Sequence, residues 1–171
     1  ILFFLDRKTG KGALQVTSVP QSKVYLDNKL LGTTPFCACD LAQMILVGDY
    51  AIKLVPIVGN FRPFEGKITI NKGTLTVVDR TFADNGESDG YIISLSPLYS
   101  KKDIEILVVS IPNNANVFLD SSPVGTTPLL LKNVSESDHD LRITRDGYKD
   151  KNLKIKTALG FKLNSLIFLG V

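Results

Sequence analysis

Tryptophan is absent from this 171-residue chain, histidine and methionine occur once each, and cysteine occurs twice. A single histidine leaves little for nucleophile–base–acid catalysis or for a His-rich metal centre. Two cysteines make no disulfide framework, so cysteine usage alone does not settle the redox compartment. The lack of tryptophan counts against a carbohydrate platform, because exposed aromatics supply the apolar face on which a sugar ring docks. Lys and Arg number 20 against 17 for Asp and Glu, a formal balance of +3. That is too mild to argue for nucleic acid or a membrane surface, and the aromatic stacking platforms of single-strand binders are missing beside the basic residues. Nothing in the body of the chain approaches the apolar run of about 18 residues that spans a bilayer.

What is present is ordinary core material. Hydrophobic residues make up 44% and charged residues 22%, the composition of a folded chain and not of a disordered one. The apolar stub Ile1 to Leu5 reads equally as the tail of a membrane segment or as a first strand. Arg7, Lys8 and Lys11 just behind it favour the cytoplasmic side, which weighs against an outward-facing anchor.

The strongest signal is an internal repeat. Val24-Tyr25-Leu26-Asp27 runs on to Gly32-Thr33-Thr34-Pro35, and Val117-Phe118-Leu119-Asp120 runs on to Gly125-Thr126-Thr127-Pro128. The apolar triplets are β-formers. Asp27-Asn28 is a turn pair that tolerates positive φ, and Gly32 and Gly125 suit positions that need it. Thr34 and Thr127 are pushed to extended geometry by the proline that follows, and Pro35 and Pro128 can open the next strand. Hairpin, bend and strand account for every motif residue without a ligand.

Period-two patterns continue through Asp49–Leu54, Leu141–Arg145 and Leu153–Lys156, with turn signals every 8–12 residues or so, the mark of a β-sandwich. Lys67–Ile70, the turn Asn71-Lys72-Gly73 and Thr74–Val77 read as a hairpin. No window yields an amphipathic helix. The chain is therefore all-β, two tandem small β-sandwich modules: a stub at 1–10, a first module at 11–98, a linker at 99–102 and a second module at 103–171. Tyr91 to Leu95 is expected to close the first module.

These residues resemble the PEGA domain, a prokaryotic β-sandwich of prealbumin- or carboxypeptidase-regulatory-like form. The second copy keeps Pro112, Ala115, Val117, Leu119, Asp120, Gly125, Thr127, Pro128, Gly147 and Tyr148. The first keeps Pro20, Val24, Leu26, Asp27, Gly32, Thr34 and Pro35. Neither has the Glu or Gly of the name-giving motif, the first also lacks its Ala, and Phe61-Arg62 stands where the Gly-Tyr step belongs. The resemblance implies a non-catalytic, extracytoplasmic structural or adhesive pair on the cell envelope, membrane-associated only through an anchor outside this segment. Its partners would be neighbouring domains of the same protein or a cell-wall polymer. It carries no catalytic residues and no cofactor.

Four constellations are candidates for chemistry. His139, in Ser137-Asp138-His139-Asp140, reads as a surface loop histidine with no nucleophile elbow beside it. Cys37-Ala38-Cys39 places two thiols on one face of a strand, half of a soft-metal site. A disulfide across one residue would be strained, so two small strand residues is the plainer reading, with intermolecular metal binding or crosslinking as the alternative. Asp84, Glu87 and Asp89 fail the EF-hand spacing and read as solvated acids, so no metal is assigned. Arg142, Arg145, Lys149, Lys154 and Lys156, with Tyr148, form a candidate polymer-binding patch, although lysines on an exposed strand also guard an edge against aggregation. Tyr25 and Tyr50 are expected to face the core, leaving Tyr91, Tyr99 and Tyr148 as exposed aromatics.

Overall fold

The computed structural model describes residues 10–84 and 87–171, all of whose regular elements are strands. The stub Ile1–Leu5 lies outside the described residues. The chain divides into two units, 1–84 and 85–171.

In the first unit, β1 (Lys11–Val19) pairs with β4 (Phe36–Ala38) antiparallel and with β8 (Leu75–Thr81) parallel, and β5 (Ile45–Leu46) adds to the start of β1. A second sheet runs in the order β3 (Lys29–Thr33), β2 (Ser22–Leu26), β6 (Gly48–Pro56), β7 (Phe64–Ile70), all antiparallel. The inner faces meet in Leu14, Val16, Val24, Leu26, Ile52, Leu54, Ile68, Ile70 and Val78, each at most 6% exposed. The alternating pattern puts these residues on one face and polar residues on the other, which is the sandwich solution.

The second unit repeats the plan. In one sheet β10 (Glu105–Ile111) pairs with β13 (Leu129–Lys132) antiparallel and with β16 (Phe161–Phe168) parallel, and β16 also pairs with β9 (Asp89–Pro97). The other runs β12 (Ser122–Thr126), β11 (Asn116–Leu119), β14 (Asp138–Thr144), β15 (Lys151–Lys156). Ile106, Val108, Val117, Leu141, Ile143, Ile155, Leu163 and Ile167 form its core, with Tyr91, Tyr148 and Leu119 packed against it. β10, β11, β12, β13, β14, β15 and β16 stand to one another as β1, β2, β3, β4, β6, β7 and β8 do.

Three expectations change. Lys67–Ile70 and Thr74–Val77 are not a hairpin: β7 pairs with β6, and β8 pairs with β1 in the other sheet. The Asn71-Lys72-Gly73 turn is the corner by which the chain changes sheets. Tyr91 to Leu95 belongs to β9 and hydrogen-bonds to β16, so it lies in the second unit and the division falls ahead of it, not at 98–103. Finally, Tyr25 faces away from Val24 and Leu26, opposite Lys53.

Turn chemistry behaves as expected at Asp27 and Asn28 (φ 47° and 66°) and at Asp120 and Ser121 (φ 50° and 70°). Gly125 has φ 146°, but Gly32 is not among the positive-φ residues, so the shared glycine has another reason. A Cβ there would stand 3.1 Å from the Phe36 ring at Gly32, and 3.0 Å from Leu129 at Gly125. Each glycine sits beside a bulge, between Val24/Tyr25 and between Val117/Phe118, where the next strand's first side chain crosses it.

Candidate functional site

The motif residues are occupied with bonds inside their own units. Thr34 and Thr127 are 1% exposed. Thr34 Oγ1 accepts from the Ser22 amide at 2.9 Å and shares a 2.6 Å bond with Ser18 Oγ, which reaches the Pro20 carbonyl at 2.8 Å. Thr127 does the same with the Ala115 amide at 3.0 Å, with Ser110 at 2.6 Å, and through Ser110 with the Pro112 carbonyl at 2.7 Å. A buried amide that would otherwise be orphaned is thereby satisfied. Ser18 and Ser110 carry no motif signal of their own, though both stand two residues before a proline, near the ends of β1 and β10. The Thr-Pro and the strand-end X-Pro bonds of both units (Val19–Pro20, Thr34–Pro35, Ile111–Pro112, Thr127–Pro128) are cis.

The two aspartates act alike. Asp27 Oδ1 accepts from the Ala51 amide at 2.8 Å, and Asp120 Oδ1 from the Asp140 amide at 2.9 Å, each tying its hairpin turn to the neighbouring strand. Asp120 also binds His139, which is 5% exposed within β14. The expectation of a surface loop histidine is corrected, because the residue lies within β14 and its ring is bound by a partner from the β11–β12 turn. Nδ1 lies 2.5 Å from Asp120 Oδ2, and Nε2 lies 2.8 Å from the Ser135 carbonyl and 3.1 Å from Ser137 Oγ. A carboxylate and a carbonyl only accept, so both ring nitrogens donate and the imidazolium is the form that fits. Burial presses the His139 pKa down, but the Ser135 carbonyl, Asp120 and, behind them, Asp138 outweigh it and raise it. The histidine's hydrogen bond, with the Asp140 amide behind it, lowers that of Asp120. No nucleophile joins the pair beyond Ser135 and Ser137, which serve as its loop contacts. The arrangement ties the 133–137 loop to the turn.

Residues 104–163 match the PEGA domain family. Within the second unit, that matched segment, from β10 into β16, is the PEGA domain. Comparison with curated proteins and with solved structures gives no match. PEGA is a non-catalytic domain family of generally extracellular, structural character.

The PEGA domain divides the basic residues between two places. Arg142, Lys154 and Lys156 share the outer face of the β12–β11–β14–β15 sheet. Lys156 stands opposite Asp138 and Lys154 opposite Asp140 across the β14–β15 ladder. Arg142 lies 4.2 Å over the Phe118 ring and 4.0 Å from Asp150. Between them is an open depression of about 390 Å³ lined by Ser121, Asp140, Arg142, Asn152 and Lys154. Arg145, Tyr148 and Lys149 sit apart, at and beyond the end of β14. Arg145 Nε donates to the Asn113 carbonyl at 2.9 Å and its guanidinium lies 5.4 Å from the Tyr148 ring, while the Lys149 amide binds the Gly170 carbonyl. Tyr148 and Tyr91 are half-buried against the core, in contrast to the exposed aromatics expected, and Tyr99 alone of the three is fully open. The first unit carries a plainer version of the same face, with Tyr25 opposite Lys53 and Lys53 3.9 Å from Glu65.

Asp89 is 2.9 Å from Lys151 and is no free loop acid. Among the described residues no group of three or more His, Cys, Asp or Glu is placed to hold a metal. Cys37 and Cys39 are joined as a disulfide with Cα atoms 5.2 Å apart, which replaces the expectation of two unlinked strand residues. The chain bends as it leaves β4, and so brings the second sulfur back to the first.

Proposed function

We propose that the chain is a non-catalytic pair of structural modules on the extracytoplasmic side of a prokaryotic envelope, spacing or presenting neighbouring segments of its protein. One observation carries this reading. Each candidate cation on the outer face of the PEGA domain is matched by an acid, Asp138 and Asp140 at the cross-strand positions opposite Lys156 and Lys154, and Asp150 4.0 Å from Arg142. A face neutralised in this way offers little field to a polyanion, while lysines on the edge strand β15 discourage strand addition. The hydrogen-bonded polar groups support the same reading, since Ser110, Thr127, Asp120 and His139 fix loops and turns and leave no reactive group poised. The joined cysteines accord with an oxidising compartment.

A second reading is supported by the Phe118–Arg142 stack, a flat cation-topped aromatic beside an open depression, which suits a wall polysaccharide or another anionic surface polymer. Sedimentation of the protein with isolated envelope material at low and high salt separates the two. Spacing predicts that the protein stays in the supernatant at both. Salt-resistant co-sedimentation weakened by Phe118→Ala would install specific wall binding instead, and salt-sensitive binding lost on Lys154→Glu would point to the charged face.

A further inference from the structure

The two units provide an internal control for Cys37 and Cys39. Phe36 and Leu129 correspond, because each is the side chain that crosses its unit's motif glycine. Leu130, Leu131 and Lys132 therefore stand where Cys37, Ala38 and Cys39 do. The register agrees: Cys37 pairs with Gln15 and Ala38 with Leu14, while Leu130 pairs with Leu107 and Leu131 with Ile106. β13 keeps its pairing on β10 with no bond between Leu130 and Lys132, so β4 needs none between Cys37 and Cys39 to keep its pairing on β1.

The bond also does little for stability by its position. It links residues two apart in sequence, and the entropy a disulfide removes from the unfolded chain grows with the loop it closes, so this one removes close to the minimum. Ala38 is 3% exposed and faces the core, which leaves both flanking cysteines on the solvent side of an edge strand. An exposed disulfide that is not required by the fold has the character of the labile, exchanging class. The chain holds no other cysteine with which it could rearrange.

The geometry assigns Cys37–Cys39 as a surface thiol–disulfide exchange site whose partner is a cysteine thiol of another protein. A thiolate of the partner attacks one sulfur, the Cys37–Cys39 bond breaks, and a mixed disulfide forms. The displaced cysteine thiolate takes up the proton that the partner thiol gave. A second partner thiol then attacks the partner's sulfur in the mixed disulfide and releases the remaining cysteine, which is protonated in turn. Two thiols become one disulfide and the Cys37–Cys39 pair takes up their two electrons, so no outside oxidant enters.

The test uses the full chain in buffers of reduced and oxidised glutathione, with free thiols counted by alkylation and mass. Excess reduced glutathione should convert the pair to two thiols per chain while circular dichroism stays unchanged. Cys39→Ser given oxidised glutathione should accumulate one glutathione per chain, trapped on Cys37. Replacing Cys37 with Leu and Cys39 with Lys, as in β13, should leave the melting temperature within roughly 5 °C of the parent, the shift that about 1 kcal/mol produces in a small domain. A pair that resists reduction in the folded protein, a Cys39→Ser variant that takes no glutathione, or a bond that never forms on air oxidation would each overturn the assignment. Collapse of the Leu/Lys double variant would make the bond structural and overturn it as well.

Discussion

Tyr50 and His139 hold one position in the two units, and each ring donates to the carbonyl oxygen four residues before it, Leu46 at 2.6 Å and Ser135 at 2.8 Å. Both rings lie beside the aspartate of the hairpin turn, Asp27 or Asp120. The difference is protonation. The phenol pKa of Tyr50 is raised from 10.0 by burial and by Asp27, so Tyr50 keeps its proton at every physiological pH. His139 does not, and the PEGA domain should be pH-sensitive where the first unit is not.

The sign follows from linkage. A histidine whose folded pKa is raised contributes stability that is full below its unfolded value, 6.5, and is lost as pH rises through the folded value. Asp120 works in the opposite sense: with its pKa lowered from 3.8, its contribution is present above that value and lost as pH falls through the folded one. The PEGA domain should therefore be most stable in the mildly acid range between them. Hydrogen exchange of β11 and β14 should show protection falling above pH 6.5, with β2 and β6 flat over the same range. His139→Tyr, which installs the first unit's residue, should abolish that slope. A slope that survives the replacement would mean another group is responsible.

Thr34 and Thr127 predict a matched pair of losses. Replacing either with Val keeps the shape, removes the hydroxyl, and strands a buried amide, that of Ser22 or of Ala115. Leaving such a group unsatisfied costs about 1–3 kcal/mol. Serine keeps the hydroxyl and should cost less in both units. Urea unfolding checks this, and equal stability of the Val and Ser variants would show that the hydroxyl network contributes nothing.

The Asp-to-Thr-Pro motif was readable in the sequence because turn chemistry is local: Asp27, Asn28 and Asp120 declare positive φ by their own side chains. The sheet exchange was not. Asn71-Lys72-Gly73 carries the same signal whether the chain folds back on its sheet or turns a corner into the other. What decides is the parallel pairing of β8 with β1, across a sequence gap of some sixty positions, from Val16 to Val78. His139 was misplaced for the same reason, since its partner Asp120 is in the hairpin turn of a neighbouring strand pair. The cation patch looked stronger in sequence than on the sheet because Asp138 and Asp140 face Lys156 and Lys154 only once β14 and β15 pair.

The two motif glycines should respond unequally to alanine. At Gly125 the new Cβ meets Leu129 at 3.0 Å and the backbone is at φ 146°, a region that side chains avoid. Backbone strain there is worth about 1–3 kcal/mol. At Gly32 only the contact with the Phe36 ring, 3.1 Å, must be relieved. Gly125→Ala should cost more than Gly32→Ala in thermal unfolding, and adding Leu129→Ala should recover the steric part only. Equal losses would locate the cost in the bulge contact and not in φ.

The boundary of the second unit decides how its fragment behaves. A fragment beginning at residue 99 follows the polar linker that the sequence suggests, and it omits β9. One beginning at residue 87 retains it. β9 hydrogen-bonds along the length of β16, and its Tyr91, Ile93 and Leu95 pack against the core. Asp89 meets Lys151 at 2.9 Å, with both side chains about one-fifth exposed, and Asn164 Nδ2 donates to Ser96 Oγ at 3.0 Å. Omitting β9 leaves three apolar contacts open, worth on the order of 3 kcal/mol together, and leaves the lysine half-buried without its carboxylate. A unit of this size has little to spare, since small domains are stable by only about 5–15 kcal/mol. The longer fragment should unfold cooperatively, and the shorter one should melt lower and expose β16 as a new edge open to pairing with another chain. Thermal melts with light scattering distinguish them. Two fragments of equal stability would show that β9 adds nothing to the second unit and would return the boundary to the linker.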